Sequence, residues 1–499
     1  VLVAAAFVVI LNETTLSVAL PVLMGYFEIT ADVAQWLVTS FMLTMAVVIP
    51  MTGYIMQRFS LRQVYAAAML LFLAGTVLAV VAPVFPVLLV ARIIQASGTA
   101  LVIPLLMTTI MRLVPLERRG GVFGLVSVVI AVAPALGPTF SGLVLHSLGW
   151  RWIFILMLPL VVLALVVGLL LVRNFEEPTR PYLDVPSVFL SAAGFAATLY
   201  GMAGLSDLAH GIPVGRVGVM LGGIVILAVF FARQRSLARE ARAGKAAAAE
   251  EQGAQGSAVA ANAGDGEPAG KRVREPLLDL APLGERNYRL SLALMLLTFS
   301  MLFGFIILMP MFAQQVMGLS ESQSGLAILP GGLAMGVMGP FVGRVYDARG
   351  TRVLTIPGSI LMSAAMLGLV VLGRDSSFWA LTGVAVVLHI GIALLMTPLM
   401  SNALAAVPDA LASHGQAILN TFQQVAAAGG TAIFIAIMTF GTQRALNSAP
   451  GDAVSGLASG LNLAFLVGAV FSVVIVLFTV FVPLDAKTPM KAKKSQNEK

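Results

Sequence analysis

Glu13 lies in Leu11–Pro21, LNETTLSVALP, with apolar runs on both sides, and no other acidic residue sits so far inside an apolar segment of this chain. A carboxylate in hydrocarbon costs at least about 2.5 kcal/mol. Such groups face a bundle interior or a wet cavity and handle protons, ions or cationic ligands. A pairing or snorkelling role near a helix end is the competing explanation. Arg92 is the one basic residue placed well within an apolar span. Arginine keeps its charge, so it must meet an anion, a carbonyl or water. It is either a partner for Glu13 or a structural cation held by carbonyls. His389, also mid-span, is a second titratable candidate, against which stands a hydrogen-bonded structural histidine.

Uncharged candidates surround these groups. One late span carries Gln416, Asn420, Gln423 and Gln424. Asn420 and Gln424 are an i,i+4 pair and Gln416 continues their face, so the amides either bind a ligand or join helices. Asn12, Gln35, Trp36, Phe299, Phe303, Met309 and Gln314 are candidate lining of a central cavity, with simple packing as the alternative.

The elements that must position these residues are membrane helices. The chain is 59% hydrophobic and 11% charged, with mean hydropathy +0.96, whereas soluble domains carry about 25% charge. Apolar runs of 18 or more residues recur throughout, each long enough to cross a bilayer. A β-barrel would instead alternate polar and apolar residues in short strands. An all-α polytopic fold follows, with fourteen candidate spans from 1–24 to 459–483, the fifth at 121–145. The sequence opens at Val1 inside an apolar segment, and no signal peptide is expected. With the N-terminus in the cytoplasm, only Arg151, Arg216, Arg374 and Arg444 fall in outer loops and Arg92 in a span. The other Lys and Arg residues then lie inside, as the positive-inside rule requires, and both termini are cytoplasmic. The same rule accounts for the net charge of +7 without nucleic acid. There is no cysteine, which excludes disulfides and thiolate metal sites.

Between the candidate spans lies one long connection, rich in Ala, Gly and charge. It is expected to be a disordered cytoplasmic linker over 234–286, with a short helix near 238–251. The resulting organisation is a six-helix bundle over 1–180, two additional helices over 181–233, the linker, a second six-helix bundle over 287–485 and a basic tail over 486–499. Two loops support an internal repeat: Gly53–Arg62, GYIMQRFSLR, and Gly343–Arg352, GRVYDARGTR, each follow the second span of their block. Parallel repeats about an axis along the membrane normal are a transporter architecture, with binding near the midplane.

These loops resemble the cytoplasmic motif of the major facilitator superfamily, G-x-L-x-D-R-x-G-x-R. Gly53, Arg58 and Arg62 match in the first copy, which has Gln57 and Ser60 at the acidic and second glycine positions. Gly343, Asp347, Arg349, Gly350 and Arg352 belong to the second. Ala133–Gly142, APALGPTFSG, resembles the antiporter motif of the fifth span through Gly137, Pro138 and Gly142. Small residues there allow close helix approach, and proline bends the helix. Arg92, Gln95 and Gly98 resemble the fourth-span motif. Leu11–Pro21 itself resembles the first-span motif of the fourteen-span drug:H⁺ antiporter family, l-D-x-T-i-v-N-v-A-L-P. The family acid falls on Asn12 here and the carboxylate on Glu13, about 100° further round the helix.

The resemblance implies a major facilitator fold of two six-helix bundles plus two extra helices in a bacterial-type plasma membrane. It implies proton-coupled export of amphipathic small molecules by alternating access, with Glu13 and Arg92 coupling proton to substrate. The expected cavity would use adaptable methionine and aromatic contacts. A dedicated exporter of one endogenous metabolite, lipid or antibiotic is the alternative on the same fold. No enzyme activity, metal or cofactor beyond the proton gradient is expected, and no G-x-x-x-x-G-K-[ST] loop occurs. Small-molecule substrates and the bilayer are the expected partners, and a monomer the expected state.

Overall fold

In hydrocarbon every backbone N–H and C=O needs a partner, which a helix supplies within a single segment. A computed structural model describes residues 1–113, 129, 132–133, 136–172, 174, 184–204, 213–255, 276–408, 411–448 and 452–481. Among these residues there is no strand, and thirteen helices are long and apolar enough to cross a membrane. About half of the expected span 121–145 lies outside the described residues; 129, 132–133 and 136–145 are described, the last within a helix over 136–148.

The first half comprises α1 (Leu2–Phe27), α2 (Ala31–Ala34), α3 (Trp36–Val48), α4 (Thr52–Arg58), α5 (Leu61–Val80), α6 (Phe85–Leu113), α7 (136–148) and α8 (Arg151–Leu171). Elements α2 to α4 continue one another, with a 3₁₀ turn at Ile49–Met51 where Pro50 removes a backbone donor. Two further helices follow, α9 (Val185–Ala203) and α10 (Val214–Gln255). The second half comprises α11 (Arg286–Met311), α12 (Glu321–Arg349), α13 (Arg352–Val371), α14 (Phe378–Ala405), α15 (Ala412–Ser448) and α16 (Ala453–Val480). Beyond Pro310, α11 widens into a π turn at Phe312–Val316.

The halves meet through matching helices. α3 packs along α15, and Gln424 Nε2 of α15 donates to Met45 Sδ at 3.6 Å. α7 packs on α12, where Thr139 Oγ1 donates to Gly325 O at 2.9 Å and a Cβ on Gly142 would collide with the Glu321 carbonyl. Counted within each half, both are a second span against a fifth span, as a twofold repeat demands. The first spans, α1 and α11, also touch, with Gln314 Nε2 3.4 Å from Val18 O. Inside the halves the third and fourth spans cross on glycines in both copies. A Cβ on Gly98 would meet Phe72 N at 2.9 Å, and one on Gly391 would meet Gly358 O at 2.8 Å.

The two motif loops close differently. Gly350 follows α12 with φ 79°, a conformation that favours glycine. Ser60 instead caps α5: its Oγ accepts from Gln63 N–H and its own N–H donates to Gln63 Oε1 at 3.0 Å. A serine is therefore the fitting residue at this second glycine position of the motif.

α9 packs against both α3 and α15, while α10 lies outside α9. Only 11% of the α10 span is buried, against 72% of the α1 span, so α10 faces lipid. Part of the segment expected as a disordered linker is ordered. α10 runs on to Gln255 through strong helix formers, with Leu237, Ala238 and Ala241 buried. The chain returns at 276 with Leu278 N–H on Gln234 Oε1 at 3.2 Å. Residues 256–275 and the basic tail 486–499 lie outside the described residues.

Candidate functional site

Polar residues sit within α1 because several bond back onto its own carbonyls. Thr15 Oγ1 donates to Asn12 O at 2.9 Å and Ser17 Oγ to Thr14 O at 2.8 Å. Asn12 points inward instead, fully buried, and its side chain meets Arg92 of α6. Arg92 is itself fully buried. Its Nη1 donates to Asn12 Oδ1 at 2.9 Å, to Gln95 Oε1 at 3.1 Å and to Asn12 O at 3.4 Å. Nη2 reaches Glu13 O at 3.3 Å and Nε reaches Leu37 O at 3.5 Å. Phe41 covers the guanidinium face, 4.2 Å from its centroid. Gln95 Nε2 passes the network on to Thr76 Oγ1 at 2.9 Å, and Thr76 ends on Phe72 O.

The buried cation is thus held by an amide, a glutamine and three carbonyls rather than by a carboxylate. Glu13 is half-buried and gives Arg92 only its backbone oxygen. Among the described residues no donor hydrogen-bonds the Glu13 carboxylate. The site combines a fixed positive charge with an acid, next to Asn12 in α1, whose carboxylate accepts no hydrogen bond among the described residues. α7 braces α1 beside it, since a Cβ on Gly137 would strike Thr14 and meet Leu11 O at 2.9 Å. At the far end of α7, His146 Nδ1 lies 3.8 Å from Glu321 Oε2 of α12.

Other sequence candidates divide. Gln35 is buried with its Nε2 3.4 Å from Ala203 O of α9. The Trp36 ring lies 5.7 Å from Tyr200 of α9, with Arg216 of α10 5.9 Å over Tyr200. Both positions contact the extra helix pair. Phe299 and Phe303 lie side by side on α11, 5.2 Å apart, and Met309 is fully buried further along. His389 is buried in the second half, its Nδ1 2.8 Å from Ala385 O and its ring 5.8 Å from Phe305. Gly331 of α12 packs directly on that imidazole. Gln416 Nε2 donates to Asn420 Oδ1 at 2.9 Å, as their spacing predicts, and Gln423 is half-buried on the same helix.

The cytoplasmic motif residues are surface groups. Arg58 and Arg62 are exposed, as is Arg349, while Arg352 is half-buried. The Arg62 backbone N–H donates to Asn174 Oδ1 at 3.1 Å. The side chains of Gln57 and Asp347 lie outside the description, as does Pro134 of the antiporter motif.

Sequence reasoning passed over the hydroxyls of the seam between halves. Thr39 and Ser40 of α3 and Thr421 and Thr431 of α15 are buried with Oγ atoms that have no hydrogen-bond partner among the described residues, and the same is true of Gln424 Oε1. A hydroxyl in an apolar helix usually bonds its own i−4 carbonyl, so isolated Thr and Ser residues carry no signal in the sequence.

Two repeated halves meeting at matched helix pairs, with a buried guanidinium inside the first, are the architecture of a membrane transporter. The chain belongs to the Major Facilitator Superfamily, whose family model matches residues 2–431. It is a multi-pass protein of the plasma membrane. The lincomycin resistance protein LmrB of Listeria monocytogenes is 33% identical over 482 residues, covering 96% of this chain and 94% of that protein. LmrB of Bacillus subtilis is 32% identical over 476 residues, with 94% and 92% covered. The multidrug resistance protein B homolog of Mycobacterium tuberculosis is 27% identical over 435 residues, covering 86% of this chain and 73% of its own length. The crystal structure of a POT family transporter in complex with 5-aminolevulinic acid shares the fold, with TM-score 0.60, 14% identity and 96% of each chain covered.

Proposed function

We propose that this transporter is a proton-coupled exporter of amphipathic small molecules, with lincosamide-like antibiotics among its substrates, and that Glu13 carries the proton. One observation bears most of the weight: Arg92 is satisfied without the Glu13 carboxylate, which has no hydrogen-bond donor among the described residues. An acid locked into an ion pair would resist protonation. This one can take a proton from the outside and release it inside without breaking the arginine network.

Substrate would enter between the halves, along the α3–α15 seam and the first-span pair. The unpaired oxygens of Thr39, Ser40, Thr421 and Gln424 offer it hydrogen bonds, and Phe299 and Phe303 offer apolar contact. Unmet buried polar groups cost about 1–3 kcal/mol each, which favours a polar ligand or water between them. α7, with its small residues against α1 and α12, is the natural surface for the halves to rock upon. The names of the lincomycin resistance relatives support the substrate class. All fourteen spans and cytoplasmic termini belong to the same proposal, as do a monomer and the proton gradient as sole energy source.

The test is substrate-driven proton movement in proteoliposomes carrying the purified chain. Addition of lincomycin or a lipophilic cation to one side should move protons in the opposite direction. Transport at the same rate with the proton gradient collapsed by ionophore would exclude the proposal.

A further inference from the structure

Along the C-terminal, arginine-bearing part of α10, a cavity of about 310 Å³ is walled by Arg235 and Arg239 of α10, Arg289 of α11, and Asp279 and Leu283 of the returning segment. Three guanidiniums face one carboxylate. Asp279 Oδ1 accepts the Ala281 N–H at 2.9 Å, and Arg289 Nη1 donates to Leu283 O at 3.2 Å. Arg235 and Arg239 are exposed and form no ion pair among the described residues. Their neighbour Arg233, by contrast, is fastened to Asp184 by two bonds of 2.7 Å.

A second cavity of about 260 Å³ adjoins the first and shares Arg235, Leu280 and Leu283 with it. Its remaining walls are apolar: Ala228, Phe231 and Ala232 of α10, and Phe422 of α15. Phe231 and Phe422 stack with centroids 6.0 Å apart and planes 11° apart, forming a flat side. Ala228 lies seven residues before Arg235, about 10 Å along the helix, in the direction of the apolar, lipid-facing part of α10. The paired cavity therefore has a cationic mouth at the headgroup level and an apolar trough leading toward hydrocarbon.

We infer that it seats an anionic phospholipid, with the phosphate on Arg235, Arg239 and Arg289 and an acyl chain in the trough between α10 and α15. Guanidiniums suit phosphate because they offer paired donors in one plane, and basic pockets between helices on this side of a membrane bind anionic headgroups. A free phosphate would use the arginines and leave the trough without purpose. The trough is what selects the lipid. Such a lipid would tie the outer helix pair to the second half through Phe422, and it stands independently of the proton-coupling proposal.

The test is native mass spectrometry of the full chain in mild detergent, with phosphatidylglycerol, phosphatidylethanolamine or glycerol phosphate added. Phosphatidylglycerol should be retained at least 10-fold over phosphatidylethanolamine at equal concentration. The variant Arg235→Gln/Arg239→Gln/Arg289→Gln should reduce that to parity. Ala228→Phe fills the trough but keeps the arginines, and it should lower phosphatidylglycerol retention several-fold. If the triple variant does not fold, Arg239→Gln alone and Ala228→Phe read the same loss. Equal retention of both lipids, retention unchanged in the variants, or displacement of phosphatidylglycerol by equimolar glycerol phosphate would overturn the inference.

Discussion

Arg92 donates to the side-chain oxygen of Asn12 at 2.9 Å and takes only the backbone oxygen of Glu13, at 3.3 Å. Asn12, the position that aligns with the acid of the first-span motif this stretch resembles, thus sits beside the guanidinium. The glutamate sits one step round the helix. A buried cation held by neutral acceptors is a permanent structural charge, and exchange is proposed for the titratable group beside it.

That arrangement depends on the planar fork of arginine. Arg92→Lys keeps the charge but offers three donors in place of five. It cannot reach Asn12, Gln95 and the Leu37 carbonyl together. Thermal unfolding in detergent should show a loss on the order of 2–4 kcal/mol, since buried acceptors are left unpaired, and transport should fall with it.

The motif glycines are not equivalent. A Cβ on Gly98 would meet Phe72 N at 2.9 Å, whereas Gly343 has nothing within 4 Å. Gly98→Val should cost about 1–3 kcal/mol through overpacking, and Gly343→Ala should leave the melting temperature unchanged. Paired melting curves check both.

Asp184 gives a pH-dependent prediction. Hydrogen bonds from the Arg233 guanidinium hold its carboxyl below the usual carboxylate range, against the opposing effect of burial, and Ser187 adds to the lowering. A depressed folded value means the stabilisation is complete above the unfolded value of about 3.9 and is lost as pH falls through the lower folded value. Arg233 is 34% exposed, so the pair is worth the low end for a charged hydrogen bond, about 1.5 kcal/mol. Asp184→Asn should lower the melting temperature at pH 7, and the gap should narrow below about pH 4.

Gln35 and Trp36 should behave as docking residues. Trp36→Ala removes the ring against Tyr200 and loosens α9, so stability should drop by about 1–3 kcal/mol. The KM for an exported drug should stay within about threefold, because a change of 0.65 kcal/mol or less corresponds to that factor. Transport assays on the folded fraction measure it.

Much of this was legible in the sequence. Long apolar runs dictated helices, the paired loops at Gly53–Arg62 and Gly343–Arg352 pointed to the repeat, and the isolation of Arg92 in apolar surroundings pointed to a buried cation that needs partners. The orientation of Asn12 toward Arg92 was not, because a one-residue shift turns a helix face by about 100° and only the packing of α1 on α6 fixes which face wins. The contacts of Gln35 and Trp36 with α9 were not legible for a related reason: a cavity wall and a helix-docking face use the same residue types. The cap at Ser60 was readable, since Ser60-x-x-Gln63 is a capping box, but its likeness to a degraded glycine motif obscured it. The persistence of α10 to Gln255 extends the short helix expected near 238–251, as the helix propensity of the Ala-rich stretch favours.

The role of Glu13 is tested most directly by comparing wild type with Glu13→Gln in the same proteoliposomes, reading both proton-driven transport and drug–drug counterflow. Counterflow needs binding and alternating access but no net proton transfer. Retained counterflow with proton-driven transport abolished is the predicted result, and it would make Glu13 the proton carrier. Proton-driven transport at the wild-type rate in Glu13→Gln would contradict the account.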